Sequence, residues 1–222
     1  MRCDWRKRLV ISVMLLSAAS IAQTADWGNV SGRMVVDGDV PPPNPIVGPP
    51  GLNLVDESVI VGQGGVLRNV LVYLRTKDVE VAPRYAASAN DEIVLDIKNG
   101  RLEPRMLVVR TTQTLKLTNS DAFNVNIKLT TISNPNWNPL LLAGTSAKMR
   151  LAVQESLPGK VDSNIQPWLR GWILVRDNPY AAVSASDGTF TIRDLPVGAE
   201  LEFQLWQARR VLARRRISRR PF

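Results

Sequence analysis

The 222-residue sequence contains no histidine and only one cysteine, Cys3. Without histidine no Ser-His-Asp triad can be assembled, and the commonest nitrogen ligand of zinc and copper sites is missing. One cysteine cannot form an intramolecular disulfide. No G-x-S-x-G elbow or phosphate-cradling Walker loop is present, so enzyme activity is not expected. Long apolar runs are absent too. The longest, Leu9 to Ala19 (LVISVMLLSAA), is too short to span a bilayer comfortably. No amphipathic helix of ordinary length can be traced. The helical candidates are a short piece near Pro83 to Asn90 and the basic C-terminal end.

The short apolar run belongs to a targeting signal. Arg2, Arg6, Lys7 and Arg8 form a basic n-region ahead of it. Ser20-Ile21-Ala22 places small residues at the −3 and −1 positions of a cleavage site, with Ala25 as a second option. Residues 1–25 are therefore expected to be a signal peptide and the protein to be periplasmic or secreted, with no transmembrane segment after cleavage. No small-residue lipobox precedes Cys3, so lipid attachment is not expected. The net charge of +8 resides in the two ends: three net positive charges lie in the first 25 residues and seven arginines in the last fourteen, leaving −2 for the body. The charge therefore gives no reason to expect a nucleic-acid partner.

What is present reads as β structure. Fourteen Gly and fifteen Pro punctuate short alternating or β-branched runs. Gly28 to Val36, Asn69 to Arg75, Ile93 to Asp96, Met106 to Arg110, Thr114 to Thr118, Val125 to Leu129, Lys148 to Val153, Trp172 to Val175, Phe190 to Ile192 and Leu201 to Trp206 are strand candidates, and Val59 to Val61 a further short one. Strands at this spacing predict an all-β sandwich or barrel. Pro41 to Gly51 is an extended connector.

Two segments carry a specific resemblance. Ile93 to Leu129 (IVLDIKNGRLEPRMLVVRTTQTLKLTNSDAFNVNIKL) and Ser163 to Val175 (SNIQPWLRGWILV) resemble a cupredoxin of the amicyanin or plastocyanin kind, found also in exported methylamine-utilisation-type proteins. The resemblance covers about Glu92 to Asp177 and implies a Greek-key β-sandwich over 92–178. In that family copper is held by a His just before an Asn-Val pair, and by a Cys, a His and a Met spaced three residues apart on one loop. At the matching positions this chain has Phe123, Ser163, Gln166 and Leu169. The frame around them is kept, as Asn119-Ser120-Asp121, Asn124-Val125, Pro167-Trp168 and Arg170-Gly171. Ser, Gln and Leu are close in volume to the Cys, His and Met they replace, the kind of exchange a packed β core tolerates. A hydroxyl, a carboxamide, a phenyl and an isobutyl group make a poor copper site. Longer relatives carry further Cys and His residues where Gly100, Arg105 and Gln207 stand here. The expectation is no copper and no other cofactor.

A second resemblance links Gly28 to Val36, Asn69 to Arg75 and Asp187 to Trp206 to the carboxypeptidase-regulatory, transthyretin-like sandwich, through the run DGTFTIRDLPVG at Asp187 to Gly198. It implies that residues 26–91 and 179–206 form a second sandwich split by the first; one continuous β unit with extra strands is the other reading. Residues 207–222 are expected to be a basic disordered tail of the composition a drifted or frame-shifted end would have. The acidic residues Asp91, Glu92, Asp96 and Glu103 lack calcium-loop spacing and read as solvated charges. Trp137, within NPNWNP, is the candidate for an exposed ligand-stacking aromatic. The functional expectation is an exported, metal-free binding or structural module with a protein or polysaccharide partner in the cell envelope. The alternatives are a copper electron-transfer protein and a carbohydrate-binding module.

Overall fold

The computed structural model describes residues 26–38, 40, 42–48, 50–208 and 210–217, the last of these as backbone. The expected signal peptide lies outside the described residues. Strand β1 (Trp27–Arg33) leads into the Pro-rich connector, which carries β2 (Pro45–Ile46) and β3 (Leu54–Val55), and then into β4 (Leu71–Leu74). The central part contains β5 (Glu92–Lys98), β6 (Arg101–Glu103), β7 (Met106–Arg110), β8 (Thr114–Asn119) and β9 (Val125–Asn126). It continues with β10 (Lys128–Thr130), β11 (Leu140–Leu141), β12 (Ser146–Arg150), β13 (Gly159–Asp162) and β14 (Arg170–Arg176). The last strands are β15 (Ala181–Val183), β16 (Thr189–Pro196), β17 (Leu201–Gln207) and β18 (Arg210–Ile217). The described residues contain no α-helix; Gln63–Gly65 and Pro83–Ala86 are single 3-10 turns. Val61 makes only an isolated bridge to Leu67, so the short strand expected at Val59 to Val61 does not form.

The protein is all-β, and its sheets stack in layers. One sheet has the order β12-β8-β5-β6 and a second the order β10-β13-β14-β7. The chain crosses between them repeatedly, so each contains a parallel pair, β5 with β8 and β7 with β14, as expected of a Greek-key sandwich. Between them lies a core that includes Leu95, Ile97, Leu115, Leu117, Ile127 and Val175. A third sheet, β15-β4-β17-β18, packs on the outer face of the second through Leu71, Tyr73, Met106, Trp172, Leu174 and Trp206. Its other face and the β1-β16 pair enclose a further core of Val72, Leu74, Tyr180, Ile192, Leu195 and Phe203. Strands β1 and β4 precede the central sandwich and β15 to β18 follow it. The outer sandwich is therefore built from both ends of the chain.

The sequence explains why these strands become inner layers. Successive side chains of a strand face opposite ways. In Met106 to Val109 and Trp172 to Val175 both sets are apolar, so Leu107, Val109, Ile173 and Val175 enter one core while Met106, Trp172 and Leu174 enter the next. Leu71 to Leu74 divides in the same way between the second and third layers of packing. By contrast, Thr114 to Asn119 alternates half-buried and buried positions, as suits a sheet with one wetter face. Arg176 ends β14 inside the protein. Its Nη1 donates to the Glu155 carbonyl at 3.2 Å and its Nη2 to the Leu74 carbonyl at 2.8 Å, and its guanidinium lies 5.6 Å from the Tyr73 ring centroid. Burial lowers its pKa, opposed by nearby Asp177.

The C-terminal segment departs from the expected disordered tail. The backbone of Arg210–Ile217 forms β18, antiparallel to β17. Without it β17 would be a sheet edge with unpaired N–H and C=O groups, and an arginine-rich outer strand is one way proteins blunt such an edge.

Asp187 opens the turn into β16. Its Oδ1 accepts from the Thr189 hydroxyl at 2.7 Å and the Thr189 N–H at 3.0 Å, and these bonds, the hydroxyl foremost, hold its carboxyl below the usual range. A depressed folded-state pKa gives stability that is complete above the unfolded value of ~3.9 and is lost as pH falls through the lower folded value. Asp187→Asn keeps the acceptor oxygen and removes the charge. The melting temperature of the variant is expected to fall less steeply than that of the wild type below about pH 4. Parallel curves in a thermal-melt series across that range would count against this assignment.

Candidate functional site

Three loops meet at one end of the central sandwich: 120–124 between β8 and β9, 142–145 between β11 and β12, and 163–169 between β13 and β14. Asn119, fully buried at the end of β8, ties the first two. Its Nδ2 donates to the carbonyls of Phe123 at 2.8 Å, Leu142 at 3.2 Å and Leu141 at 3.3 Å, while its Oδ1 accepts from the Asp121 N–H at 3.2 Å. Asp121 in turn receives the N–H groups of Asn99 at 2.6 Å and Gly100 at 2.8 Å. Asn124 holds the 142–145 loop by accepting from the Ala143 N–H at 3.1 Å. The Asn-Ser-Asp and Asn-Val pieces of the sequence frame are thus scaffold residues with identifiable bonds.

The four substituted positions divide into a polar pair and an apolar pair. Ser163 Oγ donates to Gln166 Oε1 at 2.8 Å and accepts the N–H of Gln166 at 3.0 Å and of Ile165 at 3.2 Å. Gln166 Nε2 donates to the Asn124 carbonyl at 3.1 Å. Both side chains are buried. This relay joins the 163–169 loop to the residue after Phe123. Leu169 is buried in the core beneath, its N–H on the Gln166 carbonyl at 3.0 Å, and the half-buried Phe123 packs against the same core.

The donor set does not fit copper. Copper of the type expected for this fold takes imidazole nitrogen, thiolate and thioether sulfur. Phe123 and Leu169 have no side-chain donor atom, and the serine proton and both ends of the glutamine amide are engaged within the protein. Among the described residues no three His, Cys, Asp or Glu side chains gather as a metal-ligand group.

Trp137 lies half-buried, its ring against the central core and its backbone exchanging bonds with Leu129 at 2.7 and 3.0 Å. It is therefore held on the sandwich by its backbone and by packing, with part of its surface exposed. The loop around it is organised by a residue that the sequence reading did not single out. Glu155 is fully buried, and its carboxylate accepts from the N–H groups of Ile132, Ser133 and Asn134 and from Asn134 Nδ2, at 2.8 to 3.2 Å. Nothing in LAVQESLP marks this glutamate as internal, because its partners are backbone groups more than twenty positions away. Of the acidic residues read as solvated charges, Glu92 pairs with Lys116 at 3.2 Å and with Lys148, which together lower its pKa, Lys148 foremost. Asp96 accepts from Ser120 Oγ at 2.8 Å.

No protein-family model matches the chain, and no curated protein matches it. Several solved structures resemble part of it. It is similar to a copper-containing nitrite reductase from Thermus scotoductus SA-01, with 16% identity over 38% of this chain and 22% of that one and a TM-score of 0.34. It is similar to a methionine-to-alanine mutant of amicyanin in the Cu(I) form, with 18% identity over 47% of this chain and 98% of that one and a TM-score of 0.34. It is also similar to a purple cupredoxin from Nitrosopumilus maritimus, with 21% identity over 39% of this chain and 99% of that one and a TM-score of 0.32. The chain spans less than a quarter of the nitrite reductase and nearly all of the other two.

Two stability measurements test these assignments. Ser163→Ala removes the donor to Gln166 and the acceptor of two N–H groups, and is expected to cost about 1–3 kcal/mol in urea unfolding. A neutral result would show that the relay contributes nothing. Glu155→Ala leaves a cluster of buried N–H groups without an acceptor and is expected to cost roughly 3 kcal/mol or more, with Glu155→Gln between it and the wild type. Equal stability of all three proteins would remove the proposed role of Glu155.

Proposed function

We propose that the protein is an exported, metal-free β-sandwich of the cupredoxin kind with a non-catalytic binding or structural role in the cell envelope. The observation that carries this reading is the Ser163–Gln166–Asn124 relay. Where the family places a metal that ties one loop to a distant strand, this chain has a hydroxyl, a carboxamide and a backbone carbonyl that satisfy one another. Leu169 and Phe123 add apolar packing at the remaining positions. Export is supported by the basic n-region, apolar run and small-residue site at the start of the sequence. No helix among the described residues is long and apolar enough to cross a membrane. A non-catalytic role is supported by the want of histidine and by the internal engagement of the polar groups at this end of the sandwich.

The test has two arms. The protein from Asp26 onward, titrated with Cu(II), is expected to show no intense visible charge-transfer band and no rise in melting temperature. A strong band would overturn the metal-free reading. The combined variant Phe123→His, Ser163→Cys, Gln166→His and Leu169→Met is expected to acquire a coloured copper site, because the frame that would hold those ligands is retained. A folded but colourless variant would overturn the cupredoxin-kind assignment of these positions.

A further inference from the structure

A second group of polar side chains gathers around Trp168 of the 163–169 loop, and two of its buried donor atoms lack partners among the described residues. The connector strands β2 and β3 face the β5–β6 turn and the start of β14 there. Between them is a cavity of about 20 Å³ lined by Glu57, Gly100, Arg101, Arg105, Trp168 and Arg170, among others. That is room for one water-sized group. Two buried donors, Trp168 Nε1 and Arg105 Nε, have no hydrogen-bond partner among the described residues. Gly100 has φ +68°, and a Cβ there would sit 3.6 Å from Trp168 Nε1 and 2.7 Å from Leu52, so a larger residue would crowd the space before the indole N–H. The cavity adjoins a groove of about 320 Å³ whose walls include Ile46, Val55 and Pro167, the cationic Arg105 and Arg170, and the acidic Asp56 and Glu57.

Arg105 is the centre of this arrangement. Its side chain is 11% exposed and stacks 5.2 Å from the Trp172 ring centroid. Its ion pair is with Glu57, at 3.7 Å, and Glu57 also lies 3.4 Å from Arg101. Both distances exceed the 2.7–2.9 Å or so of a charge-assisted hydrogen bond. Burial lowers the Arg105 pKa, and Arg170 adds to the lowering while Glu57 and Asp56 oppose it. A desolvated guanidinium held only by a long ion pair and a buried indole N–H without an acceptor are each costly, and both costs are relieved by an anionic oxygen in the cavity.

We propose that this groove binds a small organic carboxylate, with one oxygen in the cavity between Arg105 and the Trp168 indole N–H, Arg170 closing the mouth, and the apolar body of the ligand against Ile46, Val55 and Pro167. The planar guanidinium fork suits a carboxylate, and the apolar walls favour an organic acid over an inorganic oxyanion. Glu57 is the internal competitor: its own carboxylate holds the arginines weakly and repels an incoming one.

The experiment follows the Trp168 indole N–H by heteronuclear NMR of the isotope-labelled protein, its signal identified by its loss in Trp168→Phe. Sodium benzoate is titrated against sodium sulfate and sodium chloride at matched ionic strength. The proposal expects a saturable shift with benzoate, a weaker or unsaturated response to sulfate and none to chloride. Arg105→Met, which keeps the stem on Trp172, and Arg170→Gln at an exposed position should each weaken benzoate binding, Arg105→Met by about tenfold or more. Glu57→Gln should tighten it. Any of four results would overturn the proposal: no saturation with benzoate, tighter binding of sulfate, unchanged affinity in both arginine variants with native amide spectra, or no tightening in Glu57→Gln.

Discussion

Strand β14 has no solvent face beyond its first residue, and that constraint organises the molecule. A strand buried on both sides needs a sheet packed against each face. Ile173 and Val175 close the central core, and Trp172 and Leu174 close the layer towards β4 and β17. The rings of Trp172 and Trp206 meet edge to face with centroids 5.6 Å apart, a contact worth about 1 kcal/mol beyond the area buried. Removing either outer layer would expose one complete set of these side chains. The strands at the two ends of the chain therefore cover a surface that the central sandwich cannot leave open.

The same strand fixes the loop that carries the candidate site. Leu169 is the last residue before β14 and is locked in the core, so the 163–169 loop is held at its exit. At its entrance the Asn164 N–H is bonded to Asn126 Oδ1 at 2.9 Å. The positions of Ser163 and Gln166 follow from these two restraints and from their own bonds. On the outer side of the loop, Trp168 faces the connector and Arg105 stacks on Trp172. A single loop thus carries both the Ser163–Gln166 relay and the Trp168 indole N–H.

Much of this was legible in the sequence, for physical reasons. WILV, MLVVR and NVLVYLR have apolar residues in both phases of the strand period, which marks strands buried on two faces; TLKLT has them in one phase only. That Phe123, Ser163, Gln166 and Leu169 belong together was expected from a local frame: Asn before Val, and Pro-Trp three residues beyond Asn164. Glu155 could not, because its acceptor role is met by backbone N–H groups that no side-chain pattern encodes. The pairing of β18 escaped because arginine content signals solvation while an unpaired edge on β17 signals pairing, and only the second depends on the fold. Arg105 read as the replacement of a family residue; its burial and stacking became visible only with β14 and the connector in place.

The two sides of the loop also separate structural substitution from binding capacity. A buried hydroxyl or carboxamide introduced alone is destabilising, since its desolvation is not compensated. Ser163 and Gln166 compensate each other, and the Asn124 carbonyl accepts from the Gln166 amide nitrogen. The pair is stable as a unit and each member is costly without the other. Both side chains are thus bonded within the protein, which is the behaviour of a structural tie. At Trp168 and Arg105 the balance is different: the buried Nε1 and Nε atoms have no hydrogen-bond partner among the described residues, and Glu57 reaches Arg105 only through a 3.7 Å ion pair. Donors aimed into a small cavity suit recognition of an anionic oxygen there. The Ser163–Gln166 side of the loop is closed by its own side chains, whereas the Trp168 side borders the cavity at which a carboxylate is proposed to bind.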